Sequence, residues 1–345
     1  MQFSLYYFAN QEGPDHEKGK YRLIMESARW ADRNGFARLW TPERHFHSFG
    51  GLSPNPSILS AALASTTERI QLCSGSVVLP LHDPIRVAEE WAVVDNLSDG
   101  RVGLGVACGW VPNDFVISGS QDKFDSRKDV FAENIDALRA LWRGERRKVR
   151  NPKGEEIEIT TLPRPIQPEV PIWITAAANP ETFRFAGEIG ANLLTHLLGQ
   201  TLQGLSEKVA IYRDAWQKAG HPGRGTMTLM LHTFVDEDEE EAKERVREPF
   251  KRYLLSSVDL WRGEEARLDD MPPRKRADLL EFAFERYWRK TALMGSPSSC
   301  TPMVEAGAKA GVDEIACLID FGVPTEEILS SMSSLDELRQ GPAGR

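Results

Sequence analysis

The sequence predicts an α/β protein folded as one (β/α)8 TIM barrel with insertions. Short apolar runs of strand length alternate with longer segments of helical spacing along almost the whole chain, and this alternation is typical of a parallel sheet. Eight strands, most of them followed by a helix, fit a closed barrel better than an open sheet in a chain of 345 residues. We therefore expect a single domain that spans residues 1–345.

The eight predicted strands are short and bounded by turn residues. In chain order they are Phe3–Phe8, Phe36–Trp40, Ile70–Leu79, Arg101–Ala107, Pro171–Thr175, Asn192–His196, Thr226–Val235 and Glu314–Ile319. A Gly-x-Gly string at Gly103–Gly105 lies inside a strand and does not open a helix. The sequence therefore disfavours an open dinucleotide-binding sheet.

Helices are predicted between these strands, wherever apolar residues recur at helical spacing. They are Tyr21–Asn34, Pro54–Thr67, Pro84–Leu97, Asp125–Trp142, Pro180–Ile189, Gln203–Ala219, Glu239–Trp261, Pro302–Ala310 and Thr325–Leu338. Capping residues support several of these bounds. Gly35 ends the first helix, and Asp83 and Asn179 each precede a helix that begins with proline.

Three connections are longer than a barrel needs. They lie near Trp110–Phe124, Arg146–Pro168 and Gly263–Cys300. The second contains several prolines, which indicate a short hairpin and an extended, strand-like segment that covers part of the barrel. Long connections of this kind in a barrel are commonly lids or binding loops. We expect residues 263–290 to form a mobile lid.

Composition and charge limit the function classes. The net charge is −9 and the pI is about 5.4, without a basic stripe interleaved with aromatic residues, so we expect no nucleic-acid partner. No apolar run is long enough for a membrane span, and the first residues do not resemble a signal peptide. The four cysteines form no Cys-x-x-Cys pair and have no histidine at ligand spacing, so we expect no metal site. They predict reduced thiols in a cytoplasmic protein.

Three polar residues directly follow the second predicted strand. Glu43, Arg44 and His45 place a carboxylate, a guanidinium and an imidazole at the mouth of the barrel. Because catalytic residues of such barrels follow the carboxyl ends of strands, we interpret these three as catalytic candidates. The alternative is an ion pair between Glu43 and Arg44 that stiffens the rim.

A second candidate site follows the fifth predicted strand. Ala177 and Ala178 are small enough to let a ligand approach the backbone, and Asn179 precedes a helix. Amide groups at a helix start favour an anion, and Thr182 adds a hydroxyl. The sequence therefore predicts a phosphate site here, with an ordinary Asn-Pro helix cap as the alternative.

Several segments, taken in order, resemble those of bacterial luciferase α-subunits. They are Glu43–Phe46, Phe49–Leu52, Asn55-Pro56, Val78–Pro80, His82–Arg86, Leu97–Arg101, Asn113–Phe115 with Gly119, Gly295–Pro297 and Gly311–Asp313. They span essentially the whole chain, which resembles the bacterial luciferase-like flavin-dependent monooxygenases. The Glu-Arg-His-Phe-His form and the segment Leu81–Trp91 resemble the branch associated with polyketide and nonribosomal peptide biosynthesis.

The resemblance implies FMN as cofactor, bound in its reduced form after release from a separate reductase, and O2 as co-substrate. It also implies a non-proline cis peptide at Gly75–Ser76 beside the flavin. The predicted cofactor-binding residues are Gly75, Ser76, Cys108, Asn113, Ala177, Ala178, Asn179, Thr182 and His196. The chain departs from the luciferase pattern at three of its positions. Arg44 replaces the first of two histidines, Cys108 replaces a phosphate-binding arginine, and His196 replaces a tryptophan.

The reaction and its alternatives stay open at the level of sequence. The resemblance implies hydroxylation of an organic substrate or insertion of oxygen beside a carbonyl, with a natural product, free or bound to a carrier protein, as substrate. One alternative is a deazaflavin-dependent hydride-transfer oxidoreductase, and another is a non-catalytic flavin-binding subunit. We also expect a homodimer built partly from the helix Pro84–Leu97, with Trp91 as an interface anchor.

Overall fold

A closed barrel of eight parallel strands forms the centre of the protein. The computed structural model describes residues 1–10, 18–262 and 271–341. The strands in the described residues are β1 (Gln2–Tyr6), β2 (Arg38–Thr41), β3 (Gln71–Val78), β4 (Val102–Ala107), β5 (Arg147–Arg150), β6 (Glu156–Ile159), β7 (Ile172–Thr175), β8 (Asn192–His196), β9 (Met227–Val235), β10 (Leu293–Gly295) and β11 (Glu314–Leu318). The sheet runs β11-β1-β2-β3-β4-β7-β8-β9, and β9 pairs with β11 to close it. The predicted (β/α)8 barrel is confirmed.

Helices connect the barrel strands and pack around them. Those in the described residues are α1 (Arg22–Arg33), α2 (Pro56–Ala64), α3 (Pro84–Leu97), α4 (Arg127–Arg143), α5 (Pro180–Glu188), α6 (Leu202–Lys218), α7 (Glu239–Arg262), α8 (Pro273–Lys290), α9 (Pro297–Lys309) and α10 (Thr325–Gln340). The predicted bounds of α3 agree with the structure. Its Asp83 side chain accepts the Ile85 amide at 2.8 Å, and Pro84 fills the first helical position.

Large side chains fill the amino-terminal half of the barrel. The rings of Trp40 and Trp173 meet edge to face, with centroids 5.4 Å apart. Below them, the fully buried Glu314 carboxylate pairs with Arg38 and accepts hydrogen bonds from Trp40 Nε1 and from the Thr228 hydroxyl. This packing leaves the carboxyl ends of the strands as the side of the barrel where a ligand can enter.

The three predicted insertions contain secondary structure of their own. Short 3₁₀ helices occupy Pro112–Gly119 and Gln121–Lys123 in the first. The second contains the predicted hairpin, with β5 and β6 paired antiparallel. The third contains α8 and β10, neither of which the sequence predicted, and the start of α9. Here α9 begins at Pro297 and not at Pro302, because Ser296 and Ser299 form a reciprocal capping box.

α7 and α8 pack together over the mouth of the barrel. The ring centroids of Phe250 on α7 and Tyr287 on α8 lie 5.1 Å apart. Lys243 Nζ on α7 lies 2.9 Å from Glu285 Oε1 on α8. The predicted lid thus includes a helix packed against the mouth. Residues 263–270 lie outside the described part of the chain, and the predicted mobility of the lid stays a prediction. In the described part, no helix has the length and apolar character needed to cross a membrane.

The prediction that Trp91 anchors a dimer interface is wrong. Its side chain is 1% exposed and belongs to the core of this protein. The apolar residues of α3 that do reach the surface are Val93 and Leu97, which are 44% and 58% exposed. The face of α3 that carries Trp91 is turned toward the barrel, because the largest side chain of the helix buries the most apolar surface there.

Candidate active site

The carboxylate of Glu43 holds two histidines at the mouth of the barrel. Its Oε1 lies 2.9 Å from His45 Nε2 and 2.6 Å from His82 Nε2, and its Oε2 accepts the Val78 amide at 2.7 Å. The Glu43 side chain is buried, whereas His82 keeps part of its ring accessible. Because Glu43 follows β2 and Val78 ends β3, the carboxylate also ties two neighbouring strand ends together.

The pKa values of this cluster favour a charged pair. Burial raises the pKa of the Glu43 carboxyl, but the hydrogen bonds from His45 and His82 outweigh burial and hold that pKa below its usual value. Burial lowers the pKa of His82, but the hydrogen bond and the charge of Glu43 outweigh it, so the pKa of His82 is raised. The cluster can therefore hold a proton on His82 near neutral pH.

Arg44 pairs with a residue of the first insertion and not with Glu43. Its Nη1 lies 2.6 Å from Asp114 Oδ2, and its guanidinium lies 5.6 Å from the centroid of the Trp110 ring. The alternative of a Glu43–Arg44 ion pair is therefore not what the structure shows. Arg44 Nε and Asp114 Oδ1 are buried and have no hydrogen-bond partner among the described residues. Burial lowers the pKa of Arg44 and raises that of Asp114.

The Gly75–Ser76 peptide lies inside the mouth and is cis, as predicted. Tyr6 donates a hydrogen bond from its hydroxyl to the Gly75 carbonyl, and the Ser76 hydroxyl contacts that of Thr175. A Cβ added to Gly75 would lie 2.8 Å from the ring of Tyr6, so no larger residue fits without displacing that ring. Cys108 follows β4 and is half-buried, while Asn113 is exposed.

The start of α5 offers fewer free amides than the sequence predicts. The Asn179 side chain accepts the Glu181 amide at 3.0 Å, the Asn179 carbonyl accepts the Thr182 amide at 3.1 Å, and Pro180 has no amide hydrogen. The residues from Ala177 to Pro180 are nevertheless exposed. Glu181 pairs with Arg184, with 3.3 Å between their charged atoms, so a positive charge offsets its carboxylate.

Arg127, which sequence reasoning missed, places a cation at the start of α4, the helix that packs beside α5. The ring centroids of Phe131 on α4 and Phe185 on α5 lie 6.5 Å apart. Arg127 comes one helical turn before Phe131, and Glu181 comes one helical turn before Phe185. The Arg127 guanidinium lies 4.3 Å from the Phe124 ring, and its buried Nε has no partner among the described residues. No sequence signal marks Arg127, because only the packing of α4 against α5 brings it to this place.

Two neutral histidines lie on neighbouring strands of the mouth. Burial lowers the pKa of His196 to about 4, and burial together with the charge of His196 lowers that of His232 to about 3. His232, also missed from the sequence, is enclosed by aromatic rings whose centroids lie 5.0–6.0 Å away. Its Nε2 is buried without a partner among the described residues.

The predicted site residues therefore fall into separate groups around the mouth. Glu43 and His45 come together, and His82 joins them. His82 belongs to one of the segments that resemble luciferase α-subunits, but its contact with Glu43 depends on how β2 and β3 pair. In the described residues no group of histidine, cysteine, aspartate and glutamate side chains is arranged to hold a metal ion. The four cysteines are free thiols, and three of them are buried.

The comparison with protein families settles the class of the protein. A family model described as "Luciferase-like monooxygenase" matches residues 1–314. The chain belongs to the luciferase-like monooxygenase family. The resemblance and the enzyme class predicted from the sequence are both confirmed by this match.

Relatives of this luciferase-like monooxygenase span most of its length. The oxygenase component of the flavin-dependent trigonelline monooxygenase of Acinetobacter baylyi is 27% identical over 346 residues, covering 97% of this chain and 93% of the relative. The 4-hydroxyprotoasukamycin monooxygenase of Streptomyces nodosus subsp. asukaensis is 28% identical over 287 residues, covering 81% and 75% of the two chains.

A solved structure supports the fold of this luciferase-like monooxygenase. The oxygenating constituent of the 3,6-diketocamphane monooxygenase of Pseudomonas putida, in complex with FMN, superposes with a TM-score of 0.78. The two chains are 21% identical, and the match covers 97% of this chain and 96% of the other. At this identity the likeness supports the barrel architecture alone.

Proposed function

We propose that this luciferase-like monooxygenase binds reduced FMN, received from a separate reductase, and uses O2 to oxygenate an organic substrate. The observation that carries the proposal is Arg127, a cation with an unpaired buried Nε that lies one helical turn before the Phe131–Phe185 contact between α4 and α5. The exposed residues Ala177–Pro180 lead into the start of α5. A phosphate group would satisfy that donor, and Thr182 adds a hydroxyl nearby. The relative named as an oxygenase component supports a separate reductase, because that name implies a second component.

The residues of the mouth fit a flavin ring that enters above the barrel. Reduced FMN would supply the electrons that activate O2. The backbone at Gly75–Ser76 and the side chains of Thr175 and His196 would border the ring, since Thr175 and His196 end the neighbouring strands β7 and β8 and the Ser76 hydroxyl contacts that of Thr175. The cluster of Glu43, His45 and His82 would hold or move a proton at the histidine Nε2 atoms.

Aromatic side chains would keep water from this space. Phe8 packs against Phe49 with 5.0 Å between centroids, and Tyr253 on α7 lies 5.2 Å from Phe49. Exclusion of water protects reactive species from side reactions. We further propose a natural-product substrate, free or bound to a carrier protein, which the relative that acts on 4-hydroxyprotoasukamycin supports. The free thiols support the proposed cytoplasmic location.

Anaerobic titration distinguishes FMN from the alternative cofactor. Reduced FMN is expected to bind and to raise the melting temperature of the protein, whereas the reduced deazaflavin cofactor is expected to bind more weakly. Stabilisation by the deazaflavin alone would contradict the proposal. Reduced riboflavin serves as the control, because it lacks the phosphate that Arg127 and Thr182 are proposed to bind.

We propose in addition that the protein forms a homodimer through α2 and α3. Ile58, Val93 and Leu97 are exposed apolar residues of these helices, at 70%, 44% and 58% exposure. Leu97→Glu is expected to convert the dimer to a monomer in light scattering, because a charge would be buried at the interface. Phe282→Glu changes an apolar residue of α8 that is 69% exposed and is expected to leave the dimer intact. A wild-type protein that is monomeric at micromolar concentration would end this proposal.

A further inference from the structure

The side chain of His196 enters the interior of the barrel at its mouth. Trp173 faces the interior, where its ring meets that of Trp40, and Thr175 shares that face. Thr175 pairs with Leu194 in the parallel register of β7 and β8, so Leu194 and then His196 face the interior as well. His196 pairs in turn with Met230 on β9. It is therefore placed to contact a ligand bound over the barrel.

A backbone hydrogen bond selects the tautomer of His196. The Leu198 amide donates to Nδ1 at 3.1 Å, so Nδ1 carries no proton. In the neutral ring the proton then lies on Nε2, which can only donate. Burial lowers the pKa of this ring to about 4, so it stays neutral at neutral pH. No described residue accepts a hydrogen bond from Nε2, whereas the neighbouring Thr195 and Gln200 side chains donate to backbone carbonyls.

His196 also lies next to the proposed phosphate site. The Thr195 hydroxyl donates to the Ala176 carbonyl at 2.6 Å, which joins the end of β8 to the loop that leads into α5. A flavin that places its phosphate at Arg127 and the start of α5, and its ring system over the mouth, passes this strand end. The step from position to ligand rests on the proposed function.

We infer that His196 is a hydrogen-bond donor to the flavin and selects its reduced form. Two-electron reduction raises the electron density on the flavin carbonyl oxygens O2 and O4, which are hydrogen-bond acceptors in both redox states. A donor gains more from an acceptor of higher negative charge, so one Nε2–H group favours reduced over oxidised FMN. Because the ring is neutral, it needs no counter-ion in a buried site. This donor would let an enzyme that takes reduced flavin from a reductase bind the oxidised form more weakly.

The inference is tested by binding and not by turnover. Dissociation constants of reduced and oxidised FMN are measured anaerobically for the wild type, His196→Phe and His196→Gln. The wild type is expected to prefer reduced FMN by roughly tenfold. The phenylalanine variant keeps the ring but loses the donor and should lose most of that preference, whereas glutamine, which has an amide donor, should restore part of it.

A matched substitution controls for the loss of any histidine. His221 follows α6 at the opposite end of the barrel, where its Nε2 contacts the Glu188 carbonyl at 2.8 Å, so His221→Phe should leave the preference unchanged. Thermal unfolding checks that each variant folds. The inference would be overturned, with the proposed function intact, if His196→Phe kept the full preference for reduced FMN. It would also be overturned if the wild type bound both redox forms equally. A wild type that binds neither form would overturn the proposed function with it.

Discussion

Arg127→Ala is expected to weaken the binding of FMN by about 100-fold while riboflavin binding stays nearly unchanged. The guanidinium is the cation proposed to bind the FMN phosphate, and its Nε has no partner among the described residues. A charge-assisted hydrogen bond contributes about 1.5–3 kcal/mol, and a guanidinium can make two to one phosphate. Because riboflavin lacks the phosphate, the ratio of the two dissociation constants isolates this contact.

Arg143→Ala is the matched control for this substitution. Arg143 ends the same helix and pairs with Glu145 at 2.6 Å on the exposed surface, far from the mouth. Its loss should leave the binding of both flavins as in the wild type. Equal weakening of FMN and riboflavin in Arg127→Ala would show that the residue supports the fold of the loop and does not bind phosphate.

Glu43→Gln is expected to destabilise the protein by about 3 kcal/mol near pH 6, since breaking a buried charged pair leaves the partner uncompensated. The amide can still accept one hydrogen bond but cannot hold a protonated His82. With the carboxylate gone, burial is the largest remaining influence on His82, and its pKa should fall. Chemical denaturation measures the first effect, and NMR titration of the His82 ring measures the second.

The pH dependence follows from the two opposite pKa shifts. Glu43 has a lowered pKa, so its contribution is complete above its usual 4.5 and is lost as the pH falls through the lowered value. His82 has a raised pKa, so its contribution is complete below its usual 6.5 and is lost as the pH rises through the raised value. The difference in stability between the wild type and Glu43→Gln should therefore be largest between the two usual pKa values, 4.5 and 6.5. A stability difference that stays constant from pH 4 to 9 would refute the charged pair. Glu181→Gln is the control: it alters an exposed ion pair and should change the stability little at any pH.

Much of the barrel could be predicted from sequence because its signals are local. Strand length, helical spacing and caps such as Asp83 depend on neighbouring residues, and eight strands were predicted close to their observed bounds. The helix α8 was missed because its segment is rich in charge and begins with two prolines, which resembles a loop. The burial of Trp91 could not be predicted, since an apolar helix does not reveal which face meets the barrel.

The site was predicted in position more than in detail. Glu43 and His45 lie where a barrel places catalytic residues, yet their partner His82 arrives from the next strand. Arg44 finds its partner Asp114 in an insertion 70 residues away along the chain. Arg127 and His232 depend on helix packing that sequence spacing does not encode. Long-range contacts of this kind follow from the closed barrel, so they become visible only when the fold is known.

The reaction of the reduced, FMN-loaded protein with O2 tests the central claim most directly. Rapid mixing is followed by absorbance, with free reduced FMN as the control. The account predicts that bound FMN returns to the oxidised state through a transient absorbance that differs from both the oxidised and the reduced spectrum, because the mouth excludes water and the Glu43 cluster controls protons. Reoxidation of bound FMN in a single phase, at the rate and with the spectra of free FMN, would contradict it.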